Sequence, residues 1–228
     1  MAWGEWCRSE AYGRVVRIET TVGRGAAFTI ERNGHQWLVT ARHLLPPDDP
    51  APECTLSRGA YRTTLRLGFL GDPGGQGDVA IASLQQPITQ QDLDLHADST
   101  GVKWSQTVYF LGYPYGMGTS GGAASPPGEE IPFVKQAIVS ASQFISDSLS
   151  IWYLDGINNP GFSGGPVVAN TDQYETMQVI GVVFGNRSSE RPLEVEKKVV
   201  AEAVVRQNTG IIMATDIRYV TNLIDAVS

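Results

Sequence analysis

Apolar and polar residues alternate with a period of two along much of this chain. Leu65, Leu67 and Phe69 share one face of Thr64–Phe69, and Val16, Ile18, Thr20 and Val22 line one face of an earlier segment. Phe28–Arg42 reads as a hairpin, two apolar strands around Asn33-Gly34, a dipeptide suited to a type I′ turn. Further strands are predicted at Val79–Leu84, Thr107–Gly112, Val134–Ile145, Leu149–Leu154, Pro166–Ala169, Val179–Phe184 and Ile211–Ala214. Many short strands punctuated by Gly and Pro predict an all-β sandwich or barrel. They are too many for one small barrel. The pattern therefore divides in two, residues 1–98 and 99–228, with the acidic, polar stretch Gln90–Gly101 as the link.

Three segments depart from the strand pattern. Tyr115–Ile131 is rich in Gly, Ser and Pro and reads as a long loop. Leu193–Arg206 carries Glu194/Lys198 and Glu202/Arg206 at helical spacing, with Val199, Val200, Ala203 and Val204 between them. An amphipathic helix is predicted there, although the valines also permit strands. Asp216 can cap a closing helix, Ile217–Ala226, with Ile217, Val220, Leu223 and Ile224 on one side. No repeat of fixed period is visible.

Composition narrows the classes of function. Seventeen Lys and Arg stand against 24 Asp and Glu, for a net charge of −7. That balance gives no electrostatic footprint for nucleic acid or an anionic membrane. Apolar residues make up 42% of the 228, ample for a core, and no apolar run approaches a membrane span. The start, Met1-Ala-Trp-Gly-Glu-Trp-Cys7, lacks the basic and apolar regions of a signal peptide, so a cytoplasmic location is expected. Cys7 and Cys54 belong to no C-x-x-C pair and are expected to be reduced thiols. His35, His43 and His96 show no ligand spacing, so neither a metal nor another cofactor is expected.

The sharpest stretch is Asn159-Pro-Gly-Phe-Ser163-Gly-Gly-Pro166. A serine among glycines, between two predicted strands, suits an acyl-transfer nucleophile, whose Oγ must be exposed beside free backbone amides. Gly-x-Ser-x-Gly also fits the nucleophile elbow of α/β-hydrolases. Those enzymes place their histidine after the serine, and here all three histidines precede it. The order Asp…His…Ser fails because no aspartate precedes Asp48, whereas the candidate base His43 comes earlier. Only His…Asp…Ser survives. His43 ends Trp37-Leu-Val-Thr-Ala-Arg-His43, where an apolar strand gives way to the Pro46-Pro47 loop. His35 falls at the hairpin turn and His96 among carboxylates. Asp78 follows Gly74-Gly75-Gln76-Gly77 and opens the strand Val79-Ala-Ile-Ala, a place where backbone can hold an orienting carboxylate. Asp is also a common turn residue, and Asp72 is the fallback.

Thr40-Ala-Arg-His43, Gly77-Asp78-Val-Ala-Ile and Gly161-Phe-Ser163-Gly-Gly-Pro resemble the three motifs of chymotrypsin-like (trypsin-like) serine peptidases. The likeness is nearest to the bacterial high-temperature-requirement (Deg-type) branch. Gly25-Ala-Ala-Phe28, Gly112-Tyr-Pro114 and Val179-Ile-Gly-Val-Val-Phe184 support it, over roughly Arg14–Phe184 and Gly210–Val227. The resemblance implies two six-stranded antiparallel β-barrels with the catalytic cleft between them and a C-terminal helix. His43 and Asp78 would come from the first barrel and Ser163 from the second. It further implies an oxyanion hole from the Gly161 and Ser163 amides, and a P1 pocket framed by Ile157, Phe162, Val183 and Phe184. Ile157 stands where a trypsin-type enzyme has an aspartate, so apolar P1 residues are expected; Asp155 would matter under a shifted alignment. Two positions depart from relatives. Leu44 replaces the cysteine that follows the histidine in secreted enzymes, and Phe162 replaces the aspartate used by activated zymogens. The C-terminal peptide-binding domain of the regulatory branch is not expected here.

The expected function is a serine endopeptidase acting on protein or peptide substrates, with a regulatory protein partner possible through Asn186–Thr209. The rival from another class is the same fold used as a protein-binding scaffold with weak or lost activity.

Overall fold

The computed structural model describes residues 7, 9–71, 75–91, 95–120, 130–171, 176–195 and 198–228. A short helix, α1 (Ser9–Tyr12), precedes strands β1 (Val15–Glu19), β2 (Arg24–Arg32), β3 (His35–Ala41), β4 (Glu53–Arg58), β5 (Tyr61–Arg66), β6 (Leu70–Gly71) and β7 (Val79–Ser83). These seven form one curled sheet in the order β5-β4-β1-β2-β3-β7-β6. The rest of the chain adds β8 (His96–Ala97), β9 (Thr107–Gly112), β10 (Thr119–Ser120), β11 (Glu130–Ile131), β12 (Phe133–Ser146), β13 (Leu149–Asp155), β14 (Pro166–Ala169), β15 (Gln178–Val195) and β16 (Lys198–Asp216). Helix α2 (Ile217–Asp225) closes the chain.

In the second sheet β14, β9, β12, β13, β16 and β15 follow one another, and β14 also pairs with β15. That ring of six is the second barrel. The seventh member of each sheet, β6 or β8, is only two residues long. The fold is thus the expected all-β double barrel with a C-terminal helix.

Three apolar clusters explain the arrangement. Val16, Ala27, Leu38, Leu56 and Ala80 fill the first barrel. Phe110, Val139, Leu154, Val167 and Ile212 fill the second. A third cluster lies between the sheets: Phe28, Val39, Val79 and Ile81 meet Leu111, Tyr113, Val179 and Val182, with Ile217, Val220 and Ile224 of α2. Strands β3 and β7 are therefore buried on both faces, which explains why Val79–Ala82 is apolar without alternation. Asp216 caps α2 by accepting from Arg218 N–H at 2.9 Å, as its sequence predicts.

One expectation fails. Leu193–Arg206 is not helical: residues 178–195 and 198–216 form one long antiparallel ribbon. Arg206 faces Glu190 across the ribbon and binds it at 2.7 Å, where the helical reading paired it with Glu202. The valines favour the extended state, and a ribbon already started inside the barrel needs no new nucleus. Within the predicted link Gln90–Gly101, His96–Ala97 runs parallel to β15 and Ser99 Oγ donates to buried Asp216 at 2.7 Å. Within Tyr115–Ile131, strands β10 and β11 pair, while residues 121–129 lie outside the described ones.

Candidate active site

The antiparallel register of β3 on β7 places Ala41 opposite Val79. The next residues outward, Arg42-His43 and Asp78, therefore leave the sheet at the same end. His43 lies in a 3₁₀ turn, Arg42–Leu44. Asp78 holds that turn at three points. Its Oδ1 accepts from His43 N–H at 2.8 Å and its carbonyl from Arg42 N–H at 3.0 Å. Its Oδ2 lies 2.6 Å from His43 Nδ1. A carboxylate on Nδ1 requires that nitrogen to carry the proton, which leaves Nε2 as the free acceptor of a neutral ring. The His43 side chain is 43% exposed and that of Asp78 23%. Asp78 has φ +45°, in the left-handed region that Asp tolerates better than most side chains. Behind it, buried Thr215 of β16 donates its hydroxyl to the Gly77 carbonyl, so the second barrel supports the aspartate's loop.

Ser163 sits between β13 and β14. Its carbonyl accepts from Ala26 N–H of β2 at 2.8 Å, which fastens the turn to the first barrel. Gly164 N–H donates to the Val183 carbonyl at 2.7 Å, and Val183 N–H to the Gly165 carbonyl at 2.9 Å, which fastens it to β15. Gly164 has φ +81°, and a Cβ there would collide with the Ala26 carbonyl and Thr40 Oγ1. Only glycine fits. The contact with Thr40 and Ala41 seats the serine's neighbour two residues before His43. Ser163 Oγ makes no hydrogen bond among the described residues.

The amides next to the serine are oriented by Tyr113 and Tyr115, whose N–H groups donate to the carbonyls of Gly161 at 3.0 Å and Pro160 at 2.8 Å. A trans peptide points N–H and C=O in opposite directions, so the Gly161 amide is turned away from Tyr115. Gly161 reaches this geometry with φ +107°. Neither its N–H nor that of Ser163 has an acceptor among the described residues.

Residues 25–182, more than half of the chain, match the trypsin-like peptidase domain family. The chain belongs to that family. Among solved structures, this trypsin-like peptidase domain is similar to Rv3671c from M. tuberculosis H37Rv in an inactive mutant form. The TM-score is 0.57 at 18% identity, over 95% of this chain and 87% of that one. It is also similar to the HtrA-type protease AlgW with a tripeptide, at a TM-score of 0.63 and 19% identity. That match covers 96% of this chain and 61% of AlgW. A search of curated proteins gives no match.

In this peptidase domain the expected pocket residues divide. Phe162 is fully buried, packed edge-on against Phe110 with ring centroids 4.9 Å apart, so its side chain supports the turn from inside the barrel. Val183 is also buried and acts through its backbone. Phe184 is half-buried and leans on the core of the first barrel. Ile157 is 61% exposed and forms no buried floor. His35 is exposed at its hairpin, and Asp72 lies outside the described residues.

Sequence reasoning missed Lys135 and Thr215. Lys135 of β12 donates to Asn159 Oδ1 at 3.1 Å and to the Ile157 carbonyl, and so ties down the approach to Ser163. Burial lowers its pKa. A lone lysine or threonine inside a strand pattern gives no signal of such a role. Burial pushes the Cys7 and Cys54 thiols up to about 12 and about 11, which disfavours the thiolate. Among the described residues, no three His, Cys, Asp or Glu side chains gather as metal ligands, and no helix is long and apolar enough to cross a membrane.

Proposed function

We propose that this domain is a serine endopeptidase in which His43, Asp78 and Ser163 form the triad. Ser163 Oγ attacks the peptide carbonyl while His43 Nε2 takes its proton, and the resulting imidazolium is stabilised by Asp78. The oxyanion is received by the Gly161 and Ser163 N–H groups. Collapse of the tetrahedral intermediate breaks the C–N bond. His43 returns the proton to the amine, and water then hydrolyses the acyl-enzyme by the same route.

The observation that carries this reading is the two-point clasp of His43 by Asp78, which supplies both tautomer and orientation. A scaffold retained only for binding has no need of it. Treatment with a fluorophosphonate probe is expected to label Ser163 stoichiometrically, and Ser163→Ala to abolish labelling. Absence of label on the folded wild-type protein would refute the triad.

A further inference from the structure

The two peptides that flank Gly161 are set by Tyr113 and Tyr115 N–H, so whatever holds Tyr113 also sets the amide proposed to receive the oxyanion. Tyr113 follows β9 in the second barrel, yet its side chain is held by the first. Its hydroxyl donates to the Val15 carbonyl of β1 at 3.1 Å. The guanidinium carbon of Arg17 stands 4.7 Å from its ring centroid. Val15 and Arg17 are two residues apart on one strand and so share a face. The residue opposite Arg17 on β2 is Ala26, whose N–H holds the Ser163 carbonyl. Tyr113 is fully buried, and a Cβ at Gly161 would collide with its carbonyl. In packing this close, a shift of Tyr113 passes to the Gly161 peptide rather than being absorbed.

Arg17 is in turn fixed from the second barrel. Its Nη2 donates to Glu130 Oε1, and both side chains are mostly buried. Glu130 Oε2 accepts from Gly59 N–H, in the turn between β4 and β5, at 3.4 Å. Pairing of β10 with β11 places Glu130 opposite Ser120, and a Cβ at Gly118 would collide with the Glu130 carboxylate. The chain that leaves Tyr113 thus returns to clamp the cation lying on the Tyr113 ring. Arg17 Nε is buried and has no acceptor. The guanidinium therefore works through one terminal nitrogen and its flat face, a combination that a lysine ammonium reproduces only in part.

We propose that Arg17 is a positioning residue for the oxyanion site, acting through the Tyr113 ring on the Gly161 peptide. The proposal rests on the peptidase reading. Gly161, at φ +107°, has no side chain to hold its orientation, and a peptide whose N–H turns the other way offers the oxyanion no donor. Arg17 and the Val15 carbonyl grip the ring from the barrel that also carries His43 and Asp78. Donor and base are thereby registered against each other across the cleft. A cavity of about 310 Å³, lined in part by Arg17, Arg24, Tyr113, Tyr115 and Gly161, lies alongside. It offers Arg17 a competing role, direct contact with substrate, which has a different kinetic signature.

The test uses Arg17→Met, which keeps an unbranched side chain and removes the charge. Its kcat per folded protein is expected to fall roughly tenfold or more, short of the hundred- to thousand-fold that removal of an oxyanion donor brings. KM should stay within about twofold. A peptidyl trifluoromethyl ketone adds Ser163 Oγ at its carbonyl carbon and so places an oxyanion in the site. Its affinity should weaken by the same factor as kcat. Arg17→Lys, which keeps a cation beside the ring, should fall between wild type and Arg17→Met. In a Tyr113→Leu background Arg17→Met should cost less than about twofold more, because its path runs through the ring. If Arg17→Met does not fold, Glu130→Gln reads the same path, with kcat and ketone affinity expected to fall together by about threefold at constant KM. A rise in KM at constant kcat assigns Arg17 to substrate contact and overturns the proposal. So does a lowered Tm with kcat unchanged, or a fall in kcat with ketone affinity kept. Arg17→Lys no better than Arg17→Met, or a full additive loss in the Tyr113→Leu background, overturns it as well. All these outcomes leave wild-type cleavage and the peptidase reading standing. A folded wild type that neither cleaves peptide nor binds the ketone overturns both.

Discussion

The two corners that meet in the cleft are held by different means. The His43–Asp78 corner is a polar clasp, one carboxylate and one carbonyl binding three groups of a single turn. The Ser163 corner is docked through its backbone on β2 and β15, at distances that only glycine allows, with the Phe162 side chain packed beneath it. The first corner fails through loss of charge, the second through gain of bulk. Chemistry and shape can therefore be perturbed separately in this domain.

The largest effects should come from the groups of the proposed triad. Ser163→Ala and His43→Ala are each expected to lower kcat by about a million-fold, and the double variant by little more, because the pair acts as a unit. Single-turnover rates on one peptide measure both. Asp78→Asn keeps the shape of its corner and removes the charge. It should cost about ten-thousand-fold, with Tm changed far less than activity.

Gly164→Ala tests the other corner. The left-handed backbone costs roughly 1–2 kcal/mol with a Cβ, and the collision with Ala26 and Thr40 must push the turn off β2. A displacement of about 1 Å is enough to lower turnover on the order of a hundred-fold. Fluorophosphonate labelling should slow in parallel, while the His43–Asp78 corner stays intact by NMR. If Gly164→Ala were as active as wild type, the distinction between the two corners would collapse.

Thr215→Val should have a smaller effect. It removes one buried donor to the Gly77 carbonyl, worth about 1 kcal/mol of stability, and it loosens the loop that carries Asp78. A few-fold fall in kcat with unchanged KM is expected. The mildest perturbation is acid. Asp225 at the end of α2 is bound by Arg32 of β2 and by Asn33, and its pKa is lowered chiefly by the hydrogen bond from Arg32. Its folded pKa lies below the unfolded one, so its contribution is full above the ordinary carboxylate range and fades as pH falls through the folded value. The pair is exposed, hence the effect is small. Asp225→Asn should flatten only the acid end of a Tm–pH curve.

These contrasts also explain what could be read from the residues alone. The His43–Asp78 corner was legible because β3 and β7 are apolar runs that end where the polar residues begin. The Ser163 turn was legible from its glycines. The ribbon was misread because Glu and Lys four apart look the same on a helix as on a strand whose partner is unknown. Glu190, which actually holds Arg206, comes from the other arm of the ribbon. The side on which Phe162, Val183 and Ile157 turn their side chains was not legible, for a related reason. Adjacent residues of a turn point to opposite sides, and which side is the barrel interior depends on Phe110, far away in sequence.

The apolar layer between the sheets has a consequence for how the molecule comes apart. Phe28, Val39, Val79 and Ile81 give one face to their own sheet's neighbour across the cleft, while Ala27, Leu38 and Ala80 on the same strands turn inward. Neither half can melt without stripping the other of a wall. Heating should therefore yield a single calorimetric transition, with the van't Hoff and calorimetric enthalpies in agreement. Catalytic competence and tertiary structure should vanish together, leaving no intermediate in which one barrel persists alone.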